Sequence, residues 1–533
     1  MGGQTGTDRG ALREGGLLRS TALVGAMTML SRLLGFVRDV VLAKYFGANA
    51  AMDAFFVAFK IPNFMRRLFA EGSFAQAFVP VFSEYRTRRD DPEVRELADR
   101  VAGTLGGVLL LVTVIGVLAA PVLIALFAPG FIHRGDQYHL AISLLRITFP
   151  YLLFISLTAF AGGILNSYGR FGVPAFTPVL LNVSMISAAV WLAPHFREPV
   201  HALAWGVLIA GVAQVTFQLP FLARLRLLPR PRWDWHHPAV KRILRLMVPT
   251  LFGSSVAQVN LLVDTLIASF LAAGSVSWLY YSDRLMEFPL GVFGVAMGTV
   301  ILPNLSRRHA SNDPEHFSAT LDWALRLVLL LGVPAALGLV LLAGPVLTTL
   351  FYSPAFNPHD VYMSDASLVA YSLGLVGFIL VKVLLPGYYA RQDTRTPVRI
   401  GVISMVTNIG LNAAVVVPLA VAGVPAPHAG LAASTSFAAF VNAGLLYRGL
   451  RRRGVYLPLR GWPLMYGRVL LAAGAMAALL VWGVPATGQW MQWPTLIRVR
   501  DLAGWIAAGG GVYLALLWLT GIRPWHLRGP TGQ

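Results

Sequence analysis

The sequence predicts an all-α polytopic membrane protein of about fourteen transmembrane helices. Three observations predict it: the composition, the recurrence of long apolar runs, and the alternation of charge between connections. Of 533 residues, 56% are hydrophobic and only 13% are charged. A soluble chain carries about 25% charged residues, so the apolar surplus must face lipid. A spanning helix needs roughly 20 mainly apolar residues. Such runs fall at 18–45, 52–84, 101–129, 138–167, 174–195, 201–226, 242–271, 275–306, 318–352, 363–390, 397–421, 428–449, 465–488 and 501–522. Their recurrence excludes a soluble enzyme with a single anchor. The second run is too long for a simple helix. It holds Pro62, Gly72 and Pro80 and is expected to break or kink. The run at 275–306 holds Pro289, Gly291, Gly294 and Pro303.

The connections alternate in charge. One set carries Arg86, Arg88, Arg89 and Arg95, then Arg170, then Arg224 to Arg242, Arg307 and Arg308, Arg391 and Arg395, and Arg448 to Arg453. In the other set, FGANAAMD, LAAGSVSW, FYSPAFNPHD and VAGVPAPHAG hold no Lys or Arg. Arg134, Arg197, Arg498 and Arg500 are the exceptions. The positive-inside rule makes the first set cytoplasmic, and an even span count then puts both termini there. The net charge of +19 is therefore assigned to these loops and not to a nucleic-acid surface. The first apolar segment is long, holds arginines and lacks a small-residue cleavage site, so no cleavable signal peptide is expected. The absence of cysteine excludes disulfides and thiolate chemistry.

An internal repeat is visible at a constant offset of 223 residues, which brings Pro80 onto Pro303 and Pro174 onto Pro397. An even number of spans preserves orientation, so the repeat is parallel. It predicts an N-lobe over 15–232 and a C-lobe over 233–455, of six helices each, facing each other across a cavity. Two further helices lie within 456–525.

Charges at membrane depth cost about 2.5–3.5 kcal/mol each on insertion scales, so they line cavities or pair. In the first span, Arg32, Arg38 and Asp39 stand among apolar residues. Arg32 and Asp39 are seven apart and share a helix face. Asp53 and Lys60 repeat that spacing, and Arg66, Arg67 and Glu71 follow. In the eighth span, Asp283 and Glu287 stand at i,i+4 and Arg284 and Glu287 at i,i+3, spacings that bring side chains together. The bland alternative is snorkelling or structural ion pairing, which suits Lys44 and Arg67 best. Arginine suits bidentate phosphate and carboxylate recognition. A cavity gathering Arg32, Arg38, Arg66 and Arg284 is therefore a site for an anion with several such groups, with Asp39, Asp53, Lys60, Glu71, Asp283 and Glu287 as supporting charges. A second polar group comprises Asp264, Asn408, Asn412 and either Thr435 or Ser436. These oxygens suit a sodium ion; alternatively the amides are helix-packing hydrogen bonds and Asp264 pairs with a cation. No Walker A loop is present, and no acid pair stands out in a large extramembrane domain. An enzyme is not expected.

The stretch SRLLGFVRDVVLAKYFGANAAMDAFFVAFKIPNFMRRLFAEGSFAQAFVPVFSEYR closely resembles the MurJ (MviN-type) family of bacterial lipid II flippases, within the MOP exporter superfamily. VSWLYYSDRLMEFPLGVFGVAMGTVILPNLSR and VKVLLPGYYARQDTRTPV resemble it equally. The resemblance runs from about residue 17 to about 525. It implies two six-helix lobes plus two C-terminal helices that help form a groove for the lipid tail. It implies a cargo, undecaprenyl-diphosphate linked to a disaccharide-pentapeptide, moved across a bacterial inner membrane for cell-wall synthesis. It implies that Arg32, Arg38, Asp53, Arg66, Arg284, Glu287 and Lys382 occupy positions required for flipping. It also implies a sodium site at Asp264, Asn408, Asn412 and Thr435, with sodium as coupling ion and no other cofactor. Expected partners are lipid II, membrane lipids and the cell-wall synthesis machinery. The competing readings are an O-antigen flippase or cation antiporter of the same superfamily and, in another class, a scaffold that recruits cell-wall enzymes without transport.

Overall fold

A computed structural model describes residues 7–67 and 74–523, with backbone alone at 7–22, 248–258, 261 and 292–300. Glu71 and Gly72 lie outside the described residues. The chain divides into two compact units, Met1–Gln258 and Val259–Gln533. The first holds α1 (Thr7–Phe46), α2 (Ala50–Arg66), α3 (Ala75–Arg88), α4 (Asp91–Leu118), α5 (Ala120–Phe127), α6 (Gly135–Thr148), α7 (Tyr151–Ser167), α8 (Gly172–Ser187) and α9 (Val200–Arg224). Helix α10 (Pro238–Phe270) crosses the division. The second continues with α11 (Ser275–Ala310), α12 (Pro314–Leu341), α13 (Ala343–Leu350), α14 (Pro358–Tyr389), α15 (Arg395–Leu411), α16 (Val417–Val421), α17 (Ala429–Arg452), α18 (Trp462–Gly483), α19 (Thr487–Gln492) and α20 (Thr495–Leu519). Among the described residues, ten helical segments have the length and composition to cross a membrane. The other four of the fourteen expected runs correspond to α1, α2 with α3, α10 and α11, the elements that hold most of the charges singled out above.

The repeat is present in the helices themselves. Shifting α4 by about 223 residues reproduces α12 at both ends, 91 to 314 and 118 to 341. The same shift carries α5 onto α13, 120 to 343 and 127 to 350. Pro174 and Pro397 both stand third in their helices, α8 and α15. Each of these two helices then runs into a π-helical turn, Ala188–Leu192 and Asn412–Val416. Wide turns of this kind inside α-helices recur at functional sites.

The second run is divided between α2 and α3, and the segment 68–73 between them, where the sequence predicts a break, lies outside the described residues. Pro62, however, does not interrupt α2. Proline has no N–H for the carbonyl one turn back. Here the hydroxyl of buried Thr148 in α6 donates to that carbonyl, Ala58 O, at 3.1 Å. The freed acceptor is thus satisfied from the neighbouring helix and α2 continues. Its relative α11 also runs unbroken through Pro289 and Pro303.

In the first unit α1 packs along α8, α8 on α9, α9 on α7, and α2 on α6. In the second, α14 is the central helix and contacts α11, α12 and α17. The pair α18 and α20 packs on α12 through Met465, Val469, Met476 and Leu480.

The connection between α9 and α10 is strapped to α4. Arg230 N donates to Asp99 Oδ1 at 2.7 Å and Arg232 N to Asp99 O at 3.0 Å. Arg100 pairs with Asp234. Two glycines of α4 admit the strap, Gly103 under Arg232 and Gly107 under the Trp233 ring. A Cβ on Gly103 would stand 2.3 Å from the Arg232 backbone, whereas a Cβ on Gly106 would meet nothing within 4 Å. Gly103→Ala is therefore expected to displace the strap and lower stability by about 1–3 kcal/mol. Gly106→Ala should be neutral or stabilising by up to about 1 kcal/mol, as for any glycine removed from a helix. Thermal midpoints of the two purified variants check the contrast. Equal midpoints would show that the strap gives way freely.

Candidate functional site

The charged group of the first unit is built on α1, α2 and α8. Arg38 is buried, 8% exposed, and beside it Asp39 is 3% exposed. Arg38 donates to Asp39 Oδ1 from Nε at 3.0 Å and from Nη2 at 2.7 Å. Its Nη1 donates to Asn182 Oδ1 at 3.1 Å, and Asn182 Nδ2 donates to Ser31 O at 3.0 Å. One amide of α8 thus joins the guanidinium to the α1 backbone. Arg32 shares a helix face with Asp39 by spacing, but the partner of Asp39 is the adjacent Arg38, whose fork Asn182 also holds. Arg32 is exposed and has no hydrogen-bond or ion-pair partner among the described residues. It lines a cavity of about 390 Å³ with Thr28, Ser31, Asn166 and Phe171. Arg66, in the last turn of α2, is half-buried and donates from Nε to Asn63 Oδ1 at 3.2 Å. Asp53 is 1% exposed and sits in the first turn of α2, where a carboxylate complements the helix dipole. Asn49 caps that turn, accepting from the Ala51 and Met52 amides. Lys60 is half-buried, and Arg67 is exposed at the C-cap of α2.

In the second unit the i,i+3 pair predicted on α11 forms. Arg284 Nη1 lies 2.6 Å from Glu287 Oε2, and the guanidinium stands 5.0 Å from the Tyr280 ring centre. Asp283 is half-buried beside it, and Lys382 of α14 is exposed.

The second polar group also assembles, from α10, α15, the turn after it, and α17. Asp264 Oδ1 accepts from Asn408 Nδ2 at 3.0 Å and from Asn412 Nδ2 at 2.8 Å. Thr435 Oγ1 donates toward Asp264 Oδ2 at 3.3 Å. Between the two hydroxyls the sequence left open, Thr435 is the member. Ser436 turns away and donates to Ala370 O at 2.7 Å. Sequence reasoning missed Asn260, whose Oδ1 accepts from Asn408 Nδ2 at 2.7 Å. Its signal was present, four residues before Asp264 and so on the same helix face. Asn182 was also missed, although a lone amide in VLLNVSM at membrane depth is a signal of the same kind.

The set offers one carboxylate, three amide oxygens and a hydroxyl, the hard oxygen ligands that suit an alkali or alkaline-earth ion. Asn408 and Asn412 are both fully buried. Among the described residues Asn412 Oδ1 has no hydrogen-bond partner, an acceptor that a cation could fill. Half a turn of the Asn408 amide would exchange its nitrogen for oxygen in the same place. Among the described residues there is no group of three or more His, Cys, Asp or Glu that could hold a metal ion.

Two repeated helical units, with ten segments among the described residues long and apolar enough to cross a membrane, define a polytopic helical fold. A MATE-family transporter in an inward-facing conformation shares the fold, with a TM-score of 0.63 at 16% identity over 81% of this chain and 98% of the other. The family model described as lipid II flippase MurJ matches residues 42–499, and the chain belongs to that family. A probable lipid II flippase MurJ of Vibrio cholerae is 49% identical over 522 residues, covering 97% of this chain and 98% of the relative. The lipid II flippase MurJ of Burkholderia cenocepacia is 42% identical over 518 residues, covering 96% and 99%. A solved lipid II flippase MurJ in an inward closed conformation superposes with a TM-score of 0.77 at 27% identity, over 93% of this chain and 98% of the other.

Proposed function

We propose that this chain moves lipid II from the cytoplasmic to the outer leaflet of a bacterial inner membrane by alternating access, with both termini in the cytoplasm. The observation that carries the reading is likeness over nearly the whole length to relatives that bear that name. The chemistry of the charged groups supports it. A lipid diphosphate needs bidentate donors, and Arg32 and Arg66 present guanidinium groups that are not buried. Arg38, held by Asp39 and Asn182, fixes α1 against α8. Arg284 is held by a partly exposed ion pair with Glu287, 34% and 46% exposed. Such pairs are worth about 0–1 kcal/mol, so an incoming phosphate displaces Glu287 at small cost. An apolar cavity of about 550 Å³, lined by Leu325, Leu380, Phe440, Tyr447 and Trp462, offers room for part of a prenyl tail. Asp264, Asn260, Asn408, Asn412 and Thr435 would hold a sodium ion, whose gradient would supply free energy for resetting the cycle.

The reading is tested by measuring lipid II exposure on spheroplasts depleted of their own flippase, with and without this chain. Sodium and electrical gradients are collapsed separately. Exposure restored by the chain supports transport, and unchanged exposure sinks it. For the ion, sodium chloride is expected to raise the thermal midpoint of the purified protein above its value in choline chloride at equal ionic strength. Asp264→Asn should remove that rise by neutralising the carboxylate of the cage. A variant that still responds to sodium would place the ion elsewhere.

A further inference from the structure

Three helices of the second unit, α11, α14 and α17, meet at one end around the Trp278 ring. Trp278 is 3% exposed, and its Nε1 donates at 2.9 Å to Oδ1 of Asp360 in the first turn of α14. His428, the residue before α17, lies against the same ring, with ring centres 4.9 Å apart. It is fully buried, and its Nε2 stands 3.0 Å from Met363 O of α14. A carbonyl only accepts, so Nε2 carries the hydrogen and Nδ1 holds the lone pair. Nδ1 is buried and has no hydrogen-bond partner among the described residues. The connections at this end, LAAGSVSW, FYSPAFNPHD and VAGVPAPHAG, hold no Lys or Arg, which on the orientation proposed above makes it the outward end.

A second proton on this imidazole is poorly accommodated. It would turn Nδ1 into a donor facing no acceptor, the costly half of a buried hydrogen bond. It would also place a cation in a dry site and at the N-terminus of α17, the positive end of the helix dipole. The Trp278 face attracts a cation but offers no acceptor for the new N–H. On α14 the titratable groups at this level are His359, Asp360, Tyr362 and Asp365; on α11 they are Tyr280 and Tyr281; α17 has none from Ala429 to Leu446. His359 is a further potential cation, its ring 5.5 Å from that of Trp278. Asp360 is already engaged, by Trp278 at Oδ1 and by the Asn357 amide at Oδ2, 3.0 Å away. We propose that His428 is a proton-operated latch: neutral, it holds the outward end of α17 on α11 and α14, and protonated, it lets that end go. Burial, with His359 adding to it, pushes the docked imidazole down from 6.5 to about 4, against the pull of the Met363 carbonyl. A released imidazole therefore binds its proton more tightly than a docked one. Docking is fully favoured above pH 6.5 and weakens as pH falls toward 4, by up to about ten-fold per pH unit. Thr435 of the second polar group stands seven residues, or two turns, further along α17, so the latch sets the seat of that hydroxyl from the outward side.

The chain holds no cysteine, so a single introduced thiol reports on this end. Ala432, fully buried in the first turn of α17, and Val424, exposed in the preceding connection, supply a covered and a free position. In the purified full-length protein, maleimide labelling of Ala432→Cys relative to Val424→Cys is expected to rise by about ten-fold between about pH 7.5 and about pH 5.5. The ratio cancels the pH dependence of the thiol itself. His428→Gln keeps an amide N–H for the Met363 carbonyl and does not titrate, so the ratio should stay flat in that background. An equal rise with His428→Gln overturns the latch. Should glutamine fail to dock and leave Ala432→Cys labelled at both pH values, the histidine resonances of the native protein decide. The resonance that is missing from the His428→Gln spectrum is expected to titrate in step with the labelling. A His428 signal that stays neutral while the label enters overturns the proposal.

Discussion

Arg38→Ala is expected to abolish complementation in cells depleted of their own flippase and to lower the stability of the purified protein by about 3–5 kcal/mol, the range for breaking a buried ion pair. The substitution removes both N–H bonds to Asp39 and the bond to Asn182. It therefore deprives a carboxylate that is 3% exposed of its adjacent counter-charge and loosens α8 from α1. Arg38→Lys keeps the charge but not the fork, since an ammonium cannot meet Asp39 and Asn182 in the same planar geometry; an intermediate midpoint is expected. The double variant Arg38→Gln with Asp39→Asn separates structure from transport. Two neutral amides can rebuild hydrogen bonds without an uncompensated charge, so the midpoint should recover most of the loss. Transport should not recover, because no guanidinium remains at position 38 to engage an anion. A double variant that flips lipid II at the native rate would remove Arg38 from the headgroup argument and leave it a purely architectural residue.

Asp322→Ala is expected to give a loss of about 3 kcal/mol or more, the scale for stranding several buried donors around a lost charge. Asp322 is 1% exposed and is the hub on which the connection before α18 is folded. Its Oδ1 accepts from Tyr456 Oη at 2.8 Å, Leu459 N at 3.1 Å and Trp462 Nε1 at 2.8 Å. Its Oδ2 takes Arg326 Nε at 2.7 Å. Arg326 in turn donates to Arg460 O at 2.9 Å and stands 5.2 Å from the Trp462 ring centre. Alanine leaves these donors facing an apolar methyl. Asp322→Asn keeps one acceptor oxygen but turns an amide toward a guanidinium, and Tyr456→Phe removes a single bond worth about 1 kcal/mol. The expected order of thermal midpoints is native, Tyr456→Phe, Asp322→Asn, Asp322→Ala. Limited proteolysis should cut within 453–461 only in the last two. An Asp322→Ala protein that melts like the native chain would show that α18 and α20 hold to α12 by apolar packing alone.

The fold was legible in the sequence because the bilayer leaves few options. Run lengths, the charge of the connections and the 223-residue offset are all one-dimensional signals, and the helices of α4 and α12 reproduce that offset. Within the sites, local pairs were legible and remote ones were not. Arg284 and Glu287 follow from helical spacing alone. The Asp264 group could be proposed because acids and amides are scarce at membrane depth, yet the choice of Thr435 over Ser436 depends on which side of α17 meets α15. Asn182 binds Arg38 across 144 positions of sequence, and no periodicity on α1 points to it. The Arg38–Asp39 pair was hidden for a related reason. Helical spacing fixes where Cβ atoms stand, while a guanidinium three methylenes out goes wherever its other partner is.

The clasp at Asp322 also bears on where the chain can be cut. At the opposite end of the α18–α20 pair, Arg498, 8% exposed, donates to the carbonyls of Trp493, Met491 and Thr348. A truncation after Arg453 would strip Tyr456, Leu459 and Trp462 from the Asp322 carboxylate, leaving it only Arg326, and remove the cation above Thr348 in one step. The last two helices are therefore no detachable appendix, and a shortened transporter would first need an apolar residue at position 322.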